Sequence, residues 1–153
     1  MITNDPGIVF VPFHWGHAYA MDLRPFDADY FDSVPNFREM LRQYQATGNA
    51  QTAMAGGKIL CCFGYVKLWH RVAEMWMLTG DQIASHPVAL TRGAQRHINH
   101  IVAKEKLQRL QVTVNTRHDL AMRWADALKF TREGVLRNYG ADGADYMMFA
   151  RYF

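Results

Sequence analysis

The sequence predicts an α+β fold: a mixed, mostly antiparallel twisted sheet with one parallel central pair, about four flanking helices and a C-terminal β-hairpin. Three observations predict it. From Arg71 to Phe153 the pattern runs strand, long helix, strand, short helix, hairpin. Two short apolar stretches, Gln51 to Ala55 and Lys58 to Leu68, flank Gly56-Gly57, a two-residue connection of the kind tight hairpins use. The long helix falls between two strands, and a crossover of that length makes those strands parallel.

The elements follow in order. Ile8 to Phe13 suits an initial strand, and His14 to Leu23 a short helix that stops before Pro25, because the residue preceding proline avoids the helical region. A second helix from about Asn36 to Ala46 places Phe37, Met40, Leu41 and Tyr44 on one face and ends at Gly48. The glycine-linked hairpin comes next, then a turn at His70-Arg71 and a strand from Arg71 to Leu78. On that strand Ala73, Met75 and Met77 face one way and Glu74, Trp76 and Leu78 the other.

From about Ser85 the spacing becomes helical. Leu90, Ala94, Ile98, Ile101 and Val102 form the apolar stripe, with Ser85 and Pro87 as start signals. His97 and His100, beside Arg96 and Lys104, read as the wet side of this helix. Arg109 to Asn115 is a β-branched strand, and His118 to Leu128 a helix with Leu120, Ala121, Trp124 and Leu128 inward. Glu133 to Phe153 reads as two strands around Gly140-Ala-Asp-Gly143, a cluster that supplies positive-φ positions.

At 153 residues, 50% of them apolar, the chain has the size of one domain spanning 1–153 and enough apolar surface for a real core. Its net charge of +3 suits an anionic ligand such as a phosphate-bearing cofactor, but falls short of the dense basic face of a nucleic-acid binder. Cys61 and Cys62, the only cysteines, are strand neighbours pointing to opposite faces, which disfavours a bridge between them and suits a reduced, cytosolic protein. No apolar run approaches a membrane span. His14 and His17 stand three apart on a helix, but no Cys or carboxylate at ligand spacing accompanies them, so no metal site is expected.

The strand ending at Asn115, the helix ending Ala-Leu-Lys-Phe130 and the following Glu133-Gly-Val-Leu-Arg-Asn-Tyr-Gly140 resemble the GNAT superfamily of acetyl-CoA-dependent N-acetyltransferases. The likeness covers most of the chain and is strongest from Gly56 to Phe153. More narrowly, Trp76-Met-Leu-Thr-Gly-Asp-Gln-Ile83, His86-Pro87 with Leu90 and Arg92, and Met122-Arg-Trp-Ala125 with Leu128 and Phe130 resemble GNAT-like proteins of short-tailed phages, a type associated with the virion.

The resemblance implies that the parallel strands ending at Leu78 and Asn115 splay apart and that the pantetheine arm of acetyl-CoA fills the gap as an added strand. It implies a cofactor contact set of Trp76, Met77, Leu78, Thr79, Gly80, Ser85, Arg92 and Asn115. The pyrophosphate would lie on amides near Gly80 and Ser85, at the start of the long helix, within reach of Arg92 or Arg96. Acetyl transfer to an amine needs a base, oxyanion donors and an acid for the departing thiolate. Glu74 is the candidate base, and the backbone N–H of Met77 or Leu78 the candidate oxyanion donor.

The chain departs from the superfamily at two points. The usual spaced-glycine phosphate loop is replaced by Thr79-Gly-Asp-Gln-Ile-Ala-Ser85. The tyrosine expected as acid in the last helix is replaced by Trp124 and Ala125, leaving His118 and Tyr139 as substitutes by type. Two functions follow. One is an N-acetyltransferase acting on a small amine or a protein amine. The other is a GNAT-derived binding protein, either a virion component or an effector docking on a host protein. The aromatic N-terminal segment with His14, Trp15, Tyr19, Phe26, Tyr30 and Phe31 would form the acceptor cleft or a protein interface.

Overall fold

Seven strands form one sheet in the order β1-β2-β3-β4-β5-β7-β6, and a computed structural model describes residues 7–153 of the chain. The strands are β1 (Val9–Pro12), β2 (Ala50–Ala55), β3 (Lys58–Trp69), β4 (Val72–Thr79), β5 (Arg109–Asn115), β6 (Thr131–Leu136) and β7 (Tyr146–Tyr152). The helices are α1 (Trp15–Ala20), α2 (Pro25–Ser33), α3 (Phe37–Ala46), α4 (Pro87–Glu105) and α5 (Asp119–Ala127), with a 3-10 turn at Ile83–Ser85. β4 and β5 run parallel, whereas β1/β2, β2/β3, β5/β7 and β6/β7 are antiparallel. No helix among the described residues is long and apolar enough to cross a membrane.

By contact the chain groups into two compact units: residues up to Val66 with Trp76–Leu90, and Lys67–Met75 with Thr91–Phe153. In the first, Phe13, Ala18, Met21, Phe37, Leu41, Ala50, Cys62 and Leu78 form a buried cluster, with Trp15, Tyr30, Phe31, Met40, Tyr44 and Trp76 packed on it. Leu41 and Cys62 lose all exposure, and burying a side chain of leucine's size contributes roughly 1.5–3 kcal/mol to stability. The predicted stripe of α3 is this cluster's contribution. Both cysteines are free and buried; burial pushes the Cys62 thiol up to about 12 and raises that of Cys61 as well.

In the second unit Ala73, Ile98, Ile101, Leu110, Phe149 and Ala150 are buried completely or almost so. β5 pairs with β7 over all seven of its residues, from Arg109↔Tyr152 to Asn115↔Tyr146. β6 pairs with β7 through a bulge between Arg132 and Gly134, which leaves Glu133 as the extra residue outside the ladder.

Several expectations need correction. The described residues hold five α-helices, in keeping with the expected four or so; the one without a place in the sequence reading is Pro25–Ser33. Pro25 at the first helical position and Asp27 in the first turn are start signals. Yet the α2 aromatics Phe26, Tyr30 and Phe31 are interleaved with Asp27, Asp29 and Asp32 and end only half-buried, so no clean apolar stripe reveals the helix. α1 ends at Ala20, not Leu23: Met21 is extended and Leu23 bridges Gly80. His97 is buried rather than wet, with 5% of its surface exposed.

Candidate functional site

The β4/β5 ladder has three rungs, Val72↔Arg109, Ala73↔Leu110 and Glu74↔Gln111. Beyond them β5 continues from Val112 to Asn115 with β7 as its paired neighbour, so the pairing of the parallel strands stops at Glu74. A strand edge without a partner exposes N–H and C=O groups that an extended ligand can satisfy.

Glu74 is half-buried at the last rung. Its Oε1 accepts a hydrogen bond from Gln111 Nε2 at 3.0 Å. Gln111 Oε1 accepts from Arg109 Nε at 2.8 Å, and the Arg109 guanidinium grips Glu133 with both terminal nitrogens, at 2.9 and 2.5 Å. The Tyr152 hydroxyl also donates to Glu133. The hydrogen bonds from Arg109 and then Tyr152 hold the Glu133 carboxyl down to about 2. Alternation brings these groups together: Arg109 and Gln111 share a face of β5, while Leu110, the residue between them, turns to the other and is wholly buried. The sequence reading missed this row, although the polar/apolar alternation of Arg109 to Asn115 carried the signal.

The expected cofactor residues fall in several environments. Trp76 stacks on Tyr44 (centroids 4.6 Å apart) and meets Phe13 edge-on at 5.4 Å, Leu78 is buried in the same cluster, and Met77 is half-buried. Thr79 donates both its backbone N–H, at 2.9 Å, and its hydroxyl to Asp27 Oδ2. Gly80 N–H donates to the Leu60 carbonyl at 2.9 Å, and a Cβ there would meet the Met21 side chain at 2.9 Å, which is why this close approach takes glycine. The Ile83 N–H donates to Gly80 and that of Ser85 to Gln82, so the 3-10 turn consumes two of the amides expected to cradle phosphate. The Ser85 hydroxyl donates to Gln82 at 2.6 Å and lies 2.8 Å from His86 Nδ1.

The first turn of α4 is different. Pro87 has no N–H, and the first turn-closing bond is donated by Leu90 to His86 at 3.0 Å. The Val88 and Ala89 amides therefore precede the first intrahelical bond, where anions are favoured. Arg92 and Arg96 are exposed further along the same helix. At the end of β5, Asn115 Oδ1 accepts from the Arg117 N–H at 3.0 Å, and the Asn115 carbonyl accepts from His118 at 2.9 Å, so Asn115 builds the turn into α5.

The two expected acids stand in different environments. His118 is buried as the N-cap of α5, its Nδ1 accepting from the Ala121 N–H at 3.3 Å. Tyr139 is 52% exposed in the hairpin loop, its ring 5.3 Å from that of Tyr146. Trp124, which stands where the resemblance would have an acid tyrosine, donates its indole N–H to Thr91 Oγ1 at 3.0 Å. Tyr146, paired with Asn115 on β5, is a phenol that the sequence reading did not consider.

Around α1 the aromatic segment is organised by stacking. Arg38 lies 5.3 Å from the Trp15 ring and 5.2 Å from that of Tyr19, and Arg42 lies 5.0 Å from Trp15. The Trp15 N–H donates to Gln45 Oε1 at 2.9 Å. His14 and His17 form a capping box at the start of α1, and His17 Nδ1 also lies 2.8 Å from the Thr52 hydroxyl. Among the described residues no group of three or more His, Cys, Asp or Glu is placed to hold a metal.

No protein-family model matches the sequence, and no curated protein does either. Solved structures do. A GNAT-family acetyltransferase from Bacillus anthracis aligns over 99% of this chain and 98% of its own with a TM-score of 0.71 and 14% identity. RimL, the ribosomal L7/L12 alpha-N-protein acetyltransferase, solved in complex with coenzyme A, aligns over 97% and 96% with a TM-score of 0.70 and 11% identity. The microcin C7 self-immunity acetyltransferase MccE, solved with acetyl-CoA and AMP, aligns over 97% and 94% with a TM-score of 0.73 and 13% identity. The chain therefore has the GNAT acetyltransferase fold.

Proposed function

We propose that this protein binds acetyl-CoA and transfers its acetyl group to an amine, either a small molecule or a protein amine. The observation that carries the reading is the parallel β4/β5 pair whose pairing stops at Glu74↔Gln111, within a fold shared with acetyltransferases solved holding coenzyme A or acetyl-CoA. The β5 edge from Val112 to Asn115 would pair with the pantetheine amides. The Val88 and Ala89 amides, with Arg92 or Arg96, would take the phosphates in place of the missing glycine loop. Glu74, with its Oε2 directed to the incoming amine, would accept the proton that the amine loses as its nitrogen attacks the thioester carbonyl.

The thiolate needs a proton as it departs, and here the site supports a second reading. His118 caps a helix and Tyr139 stands in an exposed loop, and neither is the last-helix tyrosine that the resemblance implies as acid. A GNAT-fold binding protein, retaining the cofactor groove and docking on a protein through the Trp15 surface, accounts for this. The resemblance to short-tailed-phage proteins favours a virion or host protein as that partner.

Calorimetric titration with acetyl-CoA and with CoA, followed by a thiol-release assay over a panel of primary amines, separates the two. Saturable binding with thiol release that Glu74→Gln lowers by about a hundredfold or more, binding being kept, supports transfer. Binding without release on any amine supports the second reading, and no heat at millimolar ligand overturns both.

A further inference from the structure

We propose that Gln111 is a positioning residue for Glu74, locked in one amide orientation by the Arg109–Glu133–Tyr152 cluster; the inference rests on the acetyl-transfer reading. The geometry allows one assignment of the Gln111 amide. Its oxygen faces the Arg109 Nε–H at 2.8 Å, and its NH2 faces Glu74 Oε1 at 3.0 Å. Flipping the amide would set N–H against N–H at Arg109 and oxygen against carboxylate at Glu74, so both hydrogen bonds would be lost together.

Arg109 cannot readily yield. Its two terminal nitrogens are engaged by Glu133 in the bidentate arrangement that fixes a guanidinium plane, and its carbon lies 5.9 Å from the centroid of the Tyr152 ring. Glu133 reaches Arg109 because it is the bulge residue of β6, released from the ladder between Arg132 and Gly134. The hydrogen-bonded chain therefore starts on the exposed edge strand, passes the start of β5 and ends on the carboxylate at the rung where parallel pairing stops. Gln111 occupies Oε1, which leaves Oε2 as the oxygen turned to an amine. A carboxylate held this way presents one lone-pair direction instead of sampling rotamers, and misplacement of a reacting group by about 1 Å can cost on the order of a hundredfold in rate.

The test compares wild type, Gln111→Met, Glu74→Gln and the double variant by steady-state thiol release, acetyl-CoA calorimetry and thermal melting. The side-chain NH2 signals of Gln111 are followed by NMR in wild type and in Glu74→Gln. The expected result is a fall in kcat of roughly tenfold or more for Gln111→Met, with KM for acetyl-CoA unchanged and the protein still folded at the assay temperature. In the Glu74→Gln background the same change should add no further loss, and Glu74→Gln should move the Gln111 NH2 signals. An equal loss in both backgrounds, or NH2 signals indifferent to Glu74→Gln, overturns the positioning role while leaving acetyl transfer standing. A wild-type protein that binds acetyl-CoA but releases no thiol overturns the acetyl-transfer reading and this inference with it.

Discussion

His97 lies in the middle of α4 with 5% of its surface exposed, and burial, followed by the neighbouring His100, depresses its imidazole to about 4. The folded protein therefore keeps this ring neutral, while in the unfolded chain it takes up a proton near its ordinary 6.5. Below 6.5 the unfolded state binds more protons, so stability falls with acidification at about 1.4 kcal/mol per pH unit until the folded ring also titrates. At pH 5, 1.5 units below 6.5, the loss amounts to about 2 kcal/mol, and at pH 4 to about 3 kcal/mol. For a chain of this length about 2 kcal/mol lowers Tm by roughly 4–8 °C. Urea melts of wild type and His97→Leu at half-unit steps from pH 7 to pH 4 measure it, since leucine keeps an apolar filler and removes the titration. The stability difference should swing toward the variant as pH falls. Parallel curves for the two proteins would refute the argument.

Other perturbations read other parts of the structure. A Cβ at Gly64 would sit 2.8 Å from the Asn49 carbonyl oxygen and 2.9 Å from Ala50 Cβ, so Gly64→Ala should cost about 1–3 kcal/mol in a denaturant melt. At Gly134 nothing lies within 4 Å, and Gly134→Ala should be neutral or stabilising by up to about 1 kcal/mol. Glu133 is held down to about 2 from 4.5, so its contribution is complete above pH 4.5 and is lost as pH falls toward 2; Glu133→Gln should flatten that limb of the stability curve. Asp27→Ala leaves the Thr79 N–H and hydroxyl without their acceptor and should lower stability by about 1–3 kcal/mol, with faster amide exchange at Thr79 as the local signature. Trp15→Ala removes the ring on which Arg38 and Arg42 stack and should weaken acceptor or partner binding while leaving acetyl-CoA affinity unchanged in calorimetry; equal loss of both would mark misfolding.

Much of the fold was legible because its elements carry strong local periodicity. β5 spans Arg109–Asn115 as its alternation predicts, and α3 buries Phe37 and Leu41 as its stripe predicts. α2 was hidden because Asp27, Asp29 and Asp32 interrupt Phe26, Tyr30 and Phe31, so no clean apolar stripe marks it. His97 was misplaced because a histidine among polar neighbours looks wet in one dimension, whereas the helix turns its ring inward. At the candidate site the sequence singled out Glu74 from its strand position, but it could not supply the partner. Gln111 is 37 residues away in the chain, and only the parallel register brings the two within 3.0 Å.

By itself the sequence determined most of the strands and helices, α2 excepted, and most of the residues that share a face, because backbone geometry repeats every two or 3.6 residues whatever lies around it. Only the tertiary structure decided where parallel pairing stops, which amides are already donated within the protein and which side chains meet across strands. Those depend on contacts between residues distant in the chain, and no local period encodes them.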